Sequence, residues 1–304
     1  MQKNKTYLRY TWFVVLMVFL VILAGGVVRM TQSGMGCPDW PKCFGRWIPP
    51  TNAGQLPPDF EKYLKTQDID HSFNVYHTWI EYINRLLGAL LGVFILIHLV
   101  WSFRKFWKTN KPIVLFSFLL LLAVGFQGWL GKKVVDANLA VVKVTIHMLV
   151  ALLIAAIPLL IIYRLRTKEM VTSTFLKYTA TGLIVLLLLQ IVLGTQVREQ
   201  IDEISKPLLY QQRELWIGRL DNIFIIHRSL SWLVLAGCLL LCWKARAIIG
   251  LRSNALLILS SVIGAIVVGV VMLYGAIPAW AQPVHLLLAS TLMLSVFAFR
   301  LKLK

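Results

Sequence analysis

Residues Ile223 to Trp243 read IFIIHRSLSWLVLAGCLLLCW. At about 1.5 Å per residue such a run crosses a hydrocarbon core of roughly 30 Å. Its basic groups are confined to His227 and Arg228, near its start, and it holds no carboxylate. A membrane interior tolerates such side chains badly, so a histidine kept there implies a use. Two further apolar runs carry a single histidine at similar depth, His147 and His285, a few residues inside one end. The surrounding text also repeats. Tyr82-Ile83-Asn84-Arg85-Leu86-Leu87 is echoed by Ile225-Ile226-His227-Arg228-Ser229-Leu230, and His147-Met148-Leu149-Val150-Ala151 by His285-Leu286-Leu287-Leu288-Ala289.

Composition agrees with a membrane protein. Of 304 residues, 58% are hydrophobic and only 14% charged, and the mean hydropathy is +0.74, outside the range of soluble domains. The net charge of +18 could mark a nucleic-acid binder, but the basic residues are not gathered into one domain interleaved with aromatics. They fall in short connections between apolar runs. No nucleic-acid partner is expected; the surroundings are membrane lipid.

The apolar runs predict an all-α fold of about eight transmembrane helices, near 10–30, 76–103, 112–132, 139–163, 174–197, 221–243, 254–275 and 281–300. Alternate connections are basic: Lys3, Lys5 and Arg9; Arg104, Lys105, Lys108 and Lys111; Arg164, Arg166 and Lys168; Lys244, Arg246 and Arg252; Arg300, Lys302 and Lys304. Both termini are therefore expected in the cytoplasm. The first run is too long for a signal peptide's apolar region and is read as a retained helix.

The long polar stretch 31–75, rich in proline, is expected outside as a loop of fixed shape. A second outer segment, 198–220, carries charges of both signs, and its Leu208 to Trp216 portion is predicted as a short interfacial helix. Asn84 and His147 are 63 residues apart, His227 and His285 58. Spans one to four thus answer five to eight, giving two pseudo-symmetric four-helix bundles, 1–170 and 171–304. Such bundles hold cofactors in their cores.

Two neutral imidazoles on facing helices can fill both axial positions of a haem iron, the role expected of His227 and His285. Arg228 and Arg85 follow the paired positions and would meet haem propionates with a planar fork. In the first half His147 answers His285, but Asn84, a poor iron ligand, stands where a histidine is expected. Either His147 binds iron alone, leaving one face open for chemistry, or His77, seven residues before Asn84 and on the same helix face, replaces the missing ligand. Glu81, one turn from both, is expensive in an apolar bundle unless used or paired. It is a candidate general acid or base or charge stabiliser; its alternative is an ion pair with Arg85 at i+4. Cys37 and Cys43, on the oxidising outer side, are expected to form a disulfide. Cys238, Cys242, His98 and His71 are read as packing residues.

Together these residues resemble the haem A synthases, membrane oxidases that convert haem O to haem A for cytochrome oxidase. The resemblance covers nearly the whole chain: two four-helix halves, Gly25-Gly26-Val27-Val28-Arg29 with Thr31-Gln32-Ser33-Gly34, an outer cysteine pair, and Glu81-Tyr82-Ile83-Asn84-Arg85 against the family's Glu-Tyr-x-His-Arg. It implies a resident haem b on His227 and His285, a substrate haem on His147, and Glu81 as the catalytic carboxylate. The implied reaction oxidises a ring methyl stepwise to a formyl group with water as oxygen source. It implies a bacterial cytoplasmic membrane and haem O synthase as a partner, and leaves the electron acceptor open. Two departures stand out: Asn84 replaces a histidine, and segment 198–220 has no cysteine pair.

The competing reading is a dihaem b-type electron-transfer protein without chemistry on haem, which favours four histidines and gives Glu81 no task. A transporter would need paired Gly/Pro-broken helices, absent from these spans.

Overall fold

A computed structural model describes residues 4–61, 73–166 and 170–304. Lys3, His71 and Lys168, used above, lie outside them. Eight long helices follow in chain order: α1 Lys5–Met30, α2 Val75–Phe106, α3 Lys111–Val135, α4 Val141–Arg166, α5 Thr174–Ser205, α6 Asn222–Ala245, α7 Ile249–Tyr274 and α8 Ala281–Arg300. All eight are long and apolar enough to cross a membrane. Among the described residues there is no β-strand. The all-helical membrane architecture is therefore as the sequence predicts.

Local chemistry sets the helix ends. Asn74 Oδ1 accepts from the Tyr76 and His77 amides ahead of α2, Ser173 Oγ from Leu176 ahead of α5, and Asp221 Oδ1 from Ile223 at 2.7 Å ahead of α6. Each satisfies an amide the helix leaves orphaned. Arg104 and Lys105, Arg164 and Arg166, Lys244 and Arg300 stand in last turns, where cations suit the helix dipole.

One element departs from expectation. Leu208–Trp216 is not an interfacial helix. Instead α5 runs on to Ser205 and stops before Pro207, whose ring cannot continue it. Leu209, Tyr210 and Gln212 take left-handed backbone conformations, and single 3-10 turns follow at Arg213–Leu215 and Ile217–Arg219. The segment is held by packing: Trp216, almost wholly buried, lies with Ile201 and Ile277, and Arg213 donates to the Ile277 carbonyl at 2.8 Å.

The chain divides into two compact units, Met1–Pro158 and Leu159–Lys304, the division falling at a proline inside α4. In the first, α1 packs on α2 and α2 on α3. A buried polar cluster joins these three helices: Tyr7 to Ser102, Ser102 to Ser117 at 2.6 Å, and Thr11 to His98 at 3.1 Å. Thr11 spends its proton on the Tyr7 carbonyl, so His98 donates through Nε2. His98 is thus a bonded packing residue, as expected. In the second unit α5 packs on α6, α6 on α7, α7 on α8 and α8 back on α5, a closed four-helix bundle. Small residues bring the axes together: Gly237 faces Leu183, and Gly264 faces Leu288. Large apolar side chains such as Leu16 and Trp232 point outward, as a lipid-facing surface requires. Cys238 and Cys242 are both free thiols.

Candidate functional site

The first unit's site begins at the amino-terminal end of α2. Glu81 is 4% exposed. Its Oε2 accepts the Cys37 amide at 2.9 Å, and its Oε1 accepts Arg85 Nε at 3.1 Å and Nη2 at 2.5 Å. The i+4 ion pair is formed, and it is buried. The rest of the Arg85 fork reaches the loop: Nη2 donates to Cys37 O at 2.7 Å, and Nη1 to Asp39 O at 2.6 Å and Lys42 O at 3.2 Å. Cys37 and Cys43 are joined by a disulfide, and Asp39 caps the turn by accepting the Phe44 and Gly45 amides. Thr78 Oγ1 donates to Gly36 O at 2.9 Å. Glycine is required at Gly36, because a Cβ would stand 2.4 Å from the His77 carbonyl. The outer loop is thus fastened directly to the helix that carries Glu81, His77 and Asn84.

In the second unit His227 stands on α6 and His285 on α8, two helices of the closed four-helix bundle. His285 Nδ1 lies 3.0 Å from the Ala265 carbonyl of α7. A carbonyl only accepts, so Nδ1 carries the proton and Nε2 keeps its lone pair for a metal, the usual arrangement behind a ligating imidazole. Among the described residues His227 Nδ1 is buried with no hydrogen-bond partner. Both rings lie in glycine cradles. A Cβ on Gly194 of α5 would sit 3.2 Å from His227 Cε1, and one on Gly269 of α7 3.7 Å from His285 Cε1. Gln190 of α5 fixes the height of α6 by donating to the His227 carbonyl at 2.9 Å. Arg228 is exposed on α6, its guanidinium 5.8 Å from the Phe224 ring centre.

His147 repeats this pattern in the first unit. Gly131 of α3 faces it, a Cβ there lying 3.4 Å from Cε1. Gln127 donates to the His147 carbonyl at 2.9 Å, and His147 Nδ1 is buried and unpaired. Gly131 and Gly269 each precede their histidine by 16 residues. Sequence reasoning missed these glycines, and that shared spacing is the signal that would have found them. On α2, Asn84 Oδ1 is also buried without a partner. It lines a recess of about 340 Å3 with Leu20, Leu23, Ala24 and Val27 of α1 and Ile80 and Ile83 of α2. His77 stands two turns before Asn84, outside that lining.

Among the described residues no three His, Cys, Asp or Glu side chains cluster as a cage for a bare metal ion. Isolated histidines backed by glycines, with unpaired ring nitrogens, instead fit axial ligation of a porphyrin, whose own nitrogens complete the iron's coordination.

Comparison with known proteins agrees. Residues 8–297 match the family described as cytochrome oxidase assembly protein, COX15-CtaA. A heme A synthase of Sphingopyxis alaskensis is 26% identical over 91% of this chain and 86% of its own length. One from Beijerinckia indica is 26% identical over 91% and 87%. A heme A synthase of Shewanella oneidensis is 32% identical over 55% of this chain, a match spanning 48% of that protein. With the family match running over nearly its whole length, the chain belongs to the COX15-CtaA family of cytochrome oxidase assembly proteins.

Proposed function

We propose that the protein is a haem A synthase that oxidises a ring methyl of haem O to a formyl group. The observation that carries this reading is an asymmetry between two similar ligand settings. The second unit has two cradled histidines, His227 and His285, whereas the first has one, His147, and Asn84, lining a recess, stands at the position that answers His227 in the repeat. Two imidazoles suit a resident haem b that only carries electrons; one imidazole leaves a face for chemistry. The halves 1–170 and 171–304 then divide the labour, substrate in the first and haem b in the second. Arg228 is exposed and free to meet a propionate of haem b. Arg85 spends its five N–H donors on Glu81 and the loop carbonyls, so it would meet the substrate's propionate edge only by releasing some of them, and His77 stands by as a second iron ligand from a greater height.

The reaction balances in two steps. The methyl and one water give a hydroxymethyl with release of two electrons and two protons. The hydroxymethyl then gives the formyl with release of two more of each. The bound haem b supplies one-electron transfer away from the substrate. The chain's own residues do the rest. His147 would hold the substrate iron, and its Nδ1 is turned to a buried position. The buried Glu81 would steady developing positive charge or receive a proton at the substrate, while Arg85 and the Cys37 amide fix its orientation. By the positive-inside rule the alternating basic connections favour both termini on the cytoplasmic side of a bacterial membrane, with the loop fastened to α2 outside and haem O synthase a partner that would deliver its product.

Glu81→Gln tests the assignment. It preserves shape and one accepting oxygen while turning the other into an NH2 that faces a donor, the Cys37 amide or Arg85; the haem b spectrum should persist while haem A formation is lost, and normal haem A formation would remove the carboxylate from the chemistry. The dihaem electron-transfer reading is the outcome if haem O accumulates and only haem b is extracted.

A further inference from the structure

In each of the three histidine settings, the residue one turn before the cradle glycine is bonded to the histidine that the glycine backs. Ala265, Gln127 and Gln190 stand four residues before Gly269, Gly131 and Gly194. Ala265 acts through its backbone, its carbonyl taking His285 Nδ1 at 3.0 Å. At the other two positions a glutamine acts through its side chain. Gln190 Nε2 donates to the His227 carbonyl and Gln127 Nε2 to the His147 carbonyl, both at 2.9 Å. Each amide is thereby half used. Gln190 Oε1 and Gln127 Oε1 are buried with no hydrogen-bond partner among the described residues, and so are His227 Nδ1 and His147 Nδ1. Twice, therefore, an unmet acceptor belongs to the glutamine that already holds a histidine with an unmet ring nitrogen.

An imidazole that gives its Nε2 lone pair to iron carries its proton on Nδ1. A buried N–H needs an acceptor. His285 has one in the Ala265 carbonyl. At His227 the α5 side presents the ring, since a Cβ on Gly194 would lie 3.2 Å from Cε1 and 3.8 Å from Nδ1. Gln190 Oε1 shares its carbon with the nitrogen held at the His227 backbone, so side-chain rotation is the movement that would join the pair. We propose that Gln190 and Gln127 are positioning residues for haem, whose Oε1 atoms accept the Nδ1–H of His227 and His147 when those rings hold iron. This rests on the reading of both histidines as iron ligands. The bond would fix the plane of each ring and raise its electron donation to the iron, which favours the ferric state.

Full-length protein carrying haem b, with 15N-labelled histidine, is measured by electron–nuclear double resonance in the ferric state and by redox titration. The wild type should show two hydrogen-bonded Nδ1 protons. In Gln190→Leu one of them should change while the other, that of His285, stays as in wild type, and the midpoint potential should rise. Gln190→Glu keeps an oxygen at the Oε1 position, so its potential should lie at or below that of wild type. Gln127→Leu alters the other unit and should leave both protons and the haem b potential unmoved. Unchanged Nδ1 protons in Gln190→Leu would overturn the proposal even if potential or haem content shifts, because loss of the tie between α5 and α6 alone would do that. Should Gln190→Leu retain no haem b, Gln190→Glu decides, and a potential above wild type would overturn the proposal. His227→Ala separates the levels. If it keeps the haem b spectrum, the ligand reading fails; if it loses that spectrum while Gln190→Leu keeps both protons unchanged, the role of the glutamines alone fails.

Discussion

Arg85→Met isolates what holds the outer loop on α2. The substitution keeps an unbranched apolar stem and removes the fork, with its bonds to the Cys37, Asp39 and Lys42 carbonyls and to Glu81. It also leaves Glu81, 5% exposed at its side chain, without its counter-charge. Breaking a buried pair by removing one partner costs about 3 to 5 kcal/mol. At about 1.4 kcal/mol per tenfold, the lower figure corresponds to a rise on the order of a hundredfold in the population with the loop released. The reporter is built in, because the Cys37 amide donates to Glu81 and exchanges with solvent when the loop lifts. Hydrogen exchange read by mass spectrometry on the peptide containing Cys37 should therefore accelerate by about that factor. Exchange in the amino-terminal half of α1 should be unchanged. Glu81→Gln removes the charge with its partner's need for it, so the double variant should be less perturbed than the sum of the singles. Equal Cys37 exchange in Arg85→Met and wild type would refute the claim that this pair fastens the loop.

Three further outcomes follow from the same geometry. Gly194→Val and Gly269→Val place branched carbons against the His227 and His285 rings, so each should lower haem b content severalfold in purified protein, measured by pyridine haemochrome, while Gly250→Val, with open space around it, should not. His227→Ala and His285→Ala should each abolish the stable haem b spectrum; its retention in both would sink the ligand assignment. Cys43→Ser opens a ring whose closing residues are six apart, which by chain entropy is worth about 2 kcal/mol; differential scanning in detergent should show a lower transition temperature, and an unchanged one would mean the Arg85 and Asp39 bonds alone hold the turn.

The spans were legible because the requirement is one-dimensional: a helix crossing lipid needs a long apolar run, and charges mark its ends. Ile223 to Trp243 therefore yields α6 almost to the residue. The helix ends were less legible: α5, expected to end near 197, continues to Ser205 through Arg198 and Asp202, whose i+4 pair supports helix beyond the apolar run. Leu208–Trp216 misled because an amphipathic pattern resembles a helix, while the backbone there is set by Pro207 and by burial of Trp216 against residues far along the chain. The histidines stood out as costly groups in an apolar setting. Their cradles did not, because a glycine is informative only once the opposing ring is placed. Arg85 shows the same limit: its spacing from Glu81 announces the ion pair, but its three carbonyl partners lie more than 40 residues upstream, brought near only by the folded loop.

The most direct test of the central claim is to express the chain in a host supplied with haem O synthase and to identify the extracted haems by chromatography and mass. The account predicts haem A, or its hydroxymethyl precursor, together with haem b, and loss of the former alone in His147→Ala. Haem b as the sole product while haem O accumulates would contradict it.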